Sequence, residues 1–424
     1  MARSTKRSIL FAMMVPGLIL LAGCGAGEEE PTSGGAPAED AVTADARLRA
    51  RADELAHSLL IVDTHVDVPY RLEEEMEDIS GRTAKGDFDF PRAVAGGLNV
   101  PFMSIYVPAE KETAGGAKDL AEKLIAMVEK FETEWPDKFA VARSTADVRA
   151  AVAAGKIALP MGMENGAPIE GSLENLRHFS EEGIRYITLS HSENNHLCDS
   201  SYAETERWGG LSPFGREVVS EMNRLGVMID ISHVSDKSAN QVLDLTKAPV
   251  IASHSSCRRF TPGWQRNISD ELIGRVAENG GVVMINFGSA FLDEAANSQS
   301  TAFWKAAKEF RESNGLERED PRVKAFEEEY FKAAPKIFAD LSDVINNIDH
   351  VVSLAGIDHV GFGSDFDGVG DSLPEGLKDV TGYPNIIYEL LKRGYSEEDI
   401  AKICGENLMR VWSEVEKAAD PGKA

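Results

Sequence analysis

Eight short apolar runs, each ending on polar residues and several followed by an amphipathic stretch, constrain this chain more than any other feature. They cover residues 59–67, 98–107, 157–164, 184–191, 227–233, 250–254, 281–286 and 360–365. They are rich in Val, Ile and Met with little polar alternation, which is the pattern of strands buried on both faces of a parallel sheet. Apolar residues at helical spacing mark 117–134, 173–182, 214–225, 235–245 and 270–278 between them. Parallel neighbours need crossover connections, so eight strand–helix units predict an α/β fold, a (β/α)₈ barrel of the TIM type. A doubly wound open sheet competes, but it usually shows a glycine-rich phosphate turn after its first strand, and Asp63-Thr64-His65-Val66-Asp67 is not one. Residues 293–340 are long, charged and helix-prone (304–313 and 321–338). They read as a helical insertion between the seventh and eighth runs, placed to cover or flank a site. Residues 396–416 read as one or two closing helices.

The N-terminal 42 residues stand apart. Arg3, Lys6 and Arg7 precede an apolar run from Ile9 to Leu21 that is short for a membrane span and is followed by small residues, the form of an export signal. Leu21-Ala22-Gly23-Cys24 resembles the bacterial lipobox, in which the Cys is lipidated and becomes the mature N-terminus. The expectation is a lipoprotein signal peptide over 1–23, with Cys24 as the lipidation site. The protein would then be exported and anchored to the cell envelope, on a periplasmic or extracellular face, touching the membrane through its lipid alone. Residues 24–42 carry Glu28-Glu29-Glu30, Pro31, Gly34-Gly35 and Pro37 and read as a flexible tether. That leaves 43–417 for the barrel and 418–424 for a C-terminal tail.

The remaining composition narrows the partners. With 70 Asp+Glu against 44 Lys+Arg the net charge is −26, and no basic block follows the leader, so nucleic acid is excluded as a partner. Cys198, Cys257 and Cys404 form no C-x-x-C pair, so no disulfide framework is indicated, although one isolated bridge stays open.

In a barrel of this kind the reactive groups sit at the C-terminal ends of the strands. Six of the runs carry a candidate ligand or proton-transfer group there: His65 and Asp67, Glu164, His191, His233, His254 and Asp365. Any one of these histidines alone is more simply a hydrogen-bonded structural residue. Four of the nine histidines on one rim are another matter, because closing the barrel makes them converge. Imidazole nitrogens mixed with carboxylates suit Zn²⁺ or a similar first-row ion better than Mg²⁺ or Ca²⁺. His65 and Asp67, two apart, share one face of their strand. Counting ligands gives His65 and Asp67 to one ion and His233 and His254 to another, with Glu164 able to bridge. Two ions about 3.5–4 Å apart can hold a bridging hydroxide and polarise a carbonyl, as metal-assisted hydrolysis requires. Asp230, three residues before His233, reads as a core or supporting acid, not a ligand.

Seven motifs in order carry a resemblance. They are Asp63-Thr64-His65-Val66-Asp67-Val68-Pro69, Gly162-Met163-Glu164-Asn165-Gly166, Thr188-Leu189-Ser190-His191, Ile229-Asp230-Ile231-Ser232-His233-Val234-Ser235, Ser253-His254-Ser255-Ser256, Arg266-Asn267 and Gly361-Phe362-Gly363-Ser364-Asp365-Phe366-Asp367-Gly368. Together they resemble the membrane (renal-type) dipeptidases across about residues 59–412. The resemblance implies a distorted (β/α)₈ barrel of the metal-dependent hydrolase kind and a binuclear zinc dipeptidase with two Zn²⁺ per subunit. By position, it implies that His65 and Asp67 bind one zinc, that His233 and His254 bind the other, and that Glu164 bridges. It further implies that His191 contacts the substrate carbonyl and stabilises the oxyanion, and that Arg266 grips the dipeptide's C-terminal carboxylate. Asp365 is the implied acid/base that takes a proton from the bridging water and passes it to the leaving amine. Family members accept a D-residue at the C-terminal position and are often dimeric, so such dipeptides and a homodimer are expected, although no stretch identifies an interface.

Two departures bear on specificity. Vertebrate relatives carry a Tyr after the Asn-Phe pair that ends the seventh strand, where Asn286-Phe287 is followed here by Gly288, and they lack the 293–340 segment. Rival readings are N-acyl-D-amino acid or lactone hydrolysis on the same site, or a surface binding protein that kept the pocket and lost catalysis. Arg266 argues against a neutral ester or lactone, and the complete ligand set with Asp365 argues against a silent pocket.

Overall fold

The computed structural model describes residues 41–316 and 320–420; the signal-peptide, Cys24 and most of the tether expectations fall on residues outside this set. All eight apolar runs become strands of one closed parallel barrel. The strands in chain order are β1 (Val62–Val66), β2 (Val100–Tyr106), β3 (Phe139–Val141), β4 (Ile157–Leu159), β5 (Met161–Glu164), β6 (Ile184–Thr188), β7 (Met228–Asp230), β8 (Ile251–Ala252), β9 (Val282–Ile285) and β10 (Val360–Phe362). Around the barrel the order is β1, β2, β5, β6, β7, β8, β9, β10, closed by the pairing of Asp63 with Phe362. The barrel is distorted. Strand β8 has two residues, and the register shifts between Asp63 and Val66 against β2 and between Met161 and Gly162 against β6.

The third run departs from expectation by serving two sheets. Strand β4 pairs with β3 in a separate two-stranded parallel sheet, and only past Pro160 does the chain enter the barrel as β5. Proline brings no N–H to a ladder, which makes it a natural break between the two pairings.

Helices return the chain between strands, and serine starts each of the four α-helices between β5 and β9. The side chains of Ser172, Ser212, Ser235 and Ser269 each accept a backbone N–H in the first turn of Leu173–Glu181, Pro213–Leu225, Asp236–Leu245 and Asp270–Glu278. Each such cap contributes about 1 kcal/mol to holding a helix start against the rim. The helix Ala41–Ser58 begins two residues inside the stretch read as tether. The 293–340 segment forms the helices Glu294–Asn314 and Pro321–Ala333. A further helix, Leu341–Ala355, then makes the ordinary return to β10.

Two cores share the work. The larger lies between barrel and helices; the smaller fills the barrel's N-terminal end with Val62, Val100, Phe102, Tyr186, Met228, Ile251 and Val282, closed by Leu408, Val411 and Trp412 of the helix Asn407–Ala418. Tyr186 reaches the barrel axis because Gly162 faces it from β5: a Cβ there would lie 2.0 Å from the ring. Cys198, Cys257 and Cys404 are buried and free, so no bridge joins them. Among the described residues no helix is long and apolar enough to cross a membrane.

Candidate metal centre

The C-terminal rim gathers His65, Asp67, Glu164, His191, His233, His254 and Asp365. Three overlapping groups each have donor atoms within 4.8 Å of one another: His65, Glu164 and His254; Glu164, His191 and His233; His65, Asp67 and Asp365. Local backbone geometry turns several of these side chains inward. His233 and Asp365, each just beyond its strand, have φ of 66° and 64°, and Asn165 after Glu164 has 80°. Left-handed backbone at non-glycine residues costs on the order of 1 kcal/mol or more and is concentrated at functional sites. The ends of β1 and β10 are tied by Asp67 N–H donating to Phe366 O (2.8 Å) and Asp365 N–H donating to His65 O (3.0 Å), which brings the two aspartates together.

Glu164 is the hub. His65 Nε2 lies 3.3 Å from its Oε2, whereas His233 and His254 Nε2 lie 3.1 and 3.3 Å from Oε1. His191 Nε2 is 3.5 Å from Oε1, and Asp67 Oδ2 is 3.5 Å from His65 Nε2. Distance alone groups His254 with His65 as readily as with His233, since the rings of His65 and His254 stack at 3.8 Å. The carboxylate oxygen each one faces separates them.

Supporting hydrogen bonds orient the imidazoles. The Tyr186 hydroxyl donates to Thr64 O at 3.0 Å, so His65 must donate from Nδ1 to that hydroxyl at 2.7 Å, leaving Nε2 for the centre. Ser253 Oγ donates to Asp230 Oδ2 at 2.6 Å, so His254 donates from Nδ1 to Ser253 Oγ at 2.7 Å. Asp230 also accepts from Ser232 N, Ser253 N and Thr188 Oγ1, which makes it the supporting acid the sequence suggested. Such outer partners fix tautomer and ring plane in metal-binding histidines.

The charge balance favours a cation. Burial pushes the Glu164 carboxyl up, but the positive charge drawn to His65 and the imidazoles of His191, His233 and His254 around it hold it well below the usual range. Burial keeps His233 and His254 neutral, far below the ordinary imidazole value, with Arg266 adding to it. His65 goes the other way: against burial, Tyr186, Glu164 and Asp67 draw positive charge to it. Asp365 is pushed up to about 7, first by burial and then by the charge of Asp67. The buried His65 Nε2 and Asp67 Oδ1 have no hydrogen-bond partner among the described residues. Buried polar atoms of that kind need an explanation, and this nitrogen–carboxylate donor set fits a first-row divalent metal.

Arg266 sits beside the centre, 2% exposed. It donates from Nη1 to Ser255 Oγ (2.9 Å), lies 2.9 Å from His233 Nε2 through Nη2, and stands 5.0 Å over the Phe291 ring. Tyr202, whose ring is 5.8 Å from that of His233, and Trp264 complete an aromatic mouth. Thus every described residue singled out from sequence meets at one rim. The sequence reading gave no role to Ser253 and Asn286, although both stand in segments it quoted, and it passed over Tyr186 and Tyr202, whose aromatic type carries no sign of a site until strand register is known.

Several known proteins resemble this chain. The family described as Membrane dipeptidase (Peptidase family M19) matches residues 49–424. Dipeptidase tcpJ of Claviceps purpurea (strain 20.1) is 34% identical over 345 residues, spanning 79% of this chain and 70% of that protein. The crystal structure of the probable dipeptidase PvdM from Pseudomonas aeruginosa has a TM-score of 0.76 at 30% identity, covering 88% of this chain and 100% of that one. A metallopeptidase from Rhodobacter sphaeroides, liganded with a phosphinate mimic of the dipeptide L-Ala-D-Ala, has a TM-score of 0.68 at 26% identity, covering 84% of this chain and 99% of that one.

Proposed function

The chain belongs to the membrane dipeptidase family and is a metallo-dipeptidase; from that premise we propose that it hydrolyses dipeptides with two zinc ions, one held by His65 and Asp67, the other by His233 and His254, and both by Glu164. One observation carries the reading: the two oxygens of the Glu164 carboxylate face opposite groups, Oε2 toward His65 and Oε1 toward His233 and His254. Zinc bound there would supply a water activated near neutral pH and a Lewis acid for the scissile carbonyl.

The chain's own groups do the rest. Asp365 accepts the proton of the attacking water and delivers it to the leaving amine. His191, close to Glu164 and open toward the mouth, stabilises charge on the carbonyl oxygen. Arg266 holds the dipeptide's C-terminal carboxylate; its planar fork suits that group, and its buried Nε has no hydrogen-bond partner among the described residues. The carboxylate of a C-terminal D-residue meets the same arginine, and the L-Ala-D-Ala mimic on the Rhodobacter relative supports acceptance of such dipeptides. We further propose an exported protein tethered through a lipid on Cys24, on the strength of the lipobox-like Leu21-Ala22-Gly23-Cys24.

Turnover of L-Xaa-L-Xaa and L-Xaa-D-Xaa dipeptides, measured with zinc, after chelation and with Asp365→Asn, tests the chemistry. Activity that requires metal and falls by orders of magnitude in the variant is expected. A folded, two-zinc protein that turns over no dipeptide would redirect the search to N-acyl amino acids. Fatty-acid labelling of the full chain and of Cys24→Ser tests the anchor, and label retained by the variant overturns it.

A further inference from the structure

Asp365 is held by a side chain that the mechanism has not used. Asn286 follows the last residue of β9, where Ile285 pairs with Phe362 of β10, and it is fully buried. Its Oδ1 accepts the Gly288 N–H at 2.7 Å, and its Nδ2 donates to Asp365 Oδ2 at 2.7 Å. These two contacts fix the amide's orientation. A flip would set oxygen against the carboxylate and NH₂ against the Gly288 N–H. An NH₂ group only donates, so Asp365 Oδ2 must present a lone pair to it, and a proton on Oδ2 would meet an N–H head on. The other oxygen, Oδ1, lies over Gly368, where a Cβ would be 2.2 Å from it and 2.3 Å from Asp67 Oδ2. Oδ1 therefore points along the face it shares with Asp67.

We infer that Asn286 is a positioning residue that reserves Oδ1 of Asp365 for the proton of the reaction by occupying Oδ2. This rests on the acid/base role given to Asp365 above. The proton balance is simple. The water O–H breaks as Oδ1–H forms; then Oδ1–H breaks as the amine N–H forms; Oδ2 accepts from Asn286 throughout. Without Asn286 the carboxyl can rotate or protonate on the wrong oxygen, and the fraction poised for transfer falls.

The test is a double-mutant cycle on the zinc-loaded full-length protein with an L-Xaa-L-Xaa dipeptide. Metal content and melting temperature are read alongside kcat and KM. Asn286→Leu is expected to lower kcat roughly 10- to 100-fold, the scale of a misplaced reacting group, with KM and two-metal content kept. In an Asp365→Asn background the same substitution is expected to change little, because its target is already gone. An equal loss in both backgrounds marks a merely structural role and overturns the inference, as does an unchanged kcat. Should Asn286→Leu fail to fold, Asn286→Ala removes the donor without adding bulk; parent-like kcat in that variant also overturns it. If Asp365→Asn is crippled while the Asn286 variants are not, only this inference falls. If Asp365→Asn keeps full turnover, the mechanism above falls as well.

Discussion

The rim of the barrel and the helical hairpin at 294–333 are built on opposite principles. At the rim, polar side chains from different strands satisfy one another in burial: Glu164 faces His65, His191, His233 and His254, and Asp230 serves Thr188 of β6 and the segments just past β7 and β8. The hairpin is held by neighbours close in sequence. Asp293 and Asp320 cap its helices, and aromatic pairs join them, with Phe303 to Phe331 at 4.8 Å and Phe310 to Phe326 stacked at 4.6 Å. The helix Pro321–Ala333 has no fully buried residue. Precision that depends on long-range polar partners tolerates little change; local apolar pairing tolerates much.

Substitutions can break or sharpen this contrast. The largest effect is expected from Glu164→Gln, which removes the charge facing both groups. Loss of bound metal by elemental analysis and a fall in kcat beyond about 100-fold, more than an outer partner produces, should accompany a retained fold. Two metals and parent-like turnover in that variant would end the bridging role. Next comes Gly368→Ala, whose Cβ would sit against the Asp365 and Asp67 carboxylates. Displacement of about 1 Å there should lower kcat about 100-fold, read beside an intact circular dichroism spectrum. Ser253→Ala cuts the link between His254 and Asp230; competition with a chelator should show metal affinity reduced about 10- to 100-fold. Smallest of all, Phe310→Ala in the hairpin should cost about 1 kcal/mol in a denaturant melt and leave kcat unchanged. A large loss of activity from that remote change would erase the distinction between the two regions.

The same contrast explains what could be read from sequence. Histidines and carboxylates ending apolar runs are rare enough to stand out, so His65, Asp67, Glu164, His191, His233, His254 and Asp365 were legible, and the eight runs fell on the eight barrel strands. The hairpin was legible because its helical pattern is local. What escaped depended on register or on a break within a run. Strands β3 and β4 pair outside the barrel because the third run is divided at Pro160, and an apolar run does not announce two partners. Tyr186 looks like any core aromatic until its hydroxyl is found under His65, and Asn286 looks like a strand-end turn residue until β10 brings Asp365 beside it. The aromatic mouth of Tyr202, Trp264 and Phe291 draws on two loops and the short helix Ser289–Leu292, and nothing in their spacing links them.

The packed lower barrel also decides the traffic of the reaction. Phe102, Tyr186 and Trp412, all fully buried and in ring contact at 5.3 to 5.6 Å, stopper the axis beneath His65. Among the described residues, the floor of the reaction chamber is therefore solid. With the axis blocked beneath His65, a dipeptide enters and its two amino acids leave on the rim side of the centre, not through the barrel.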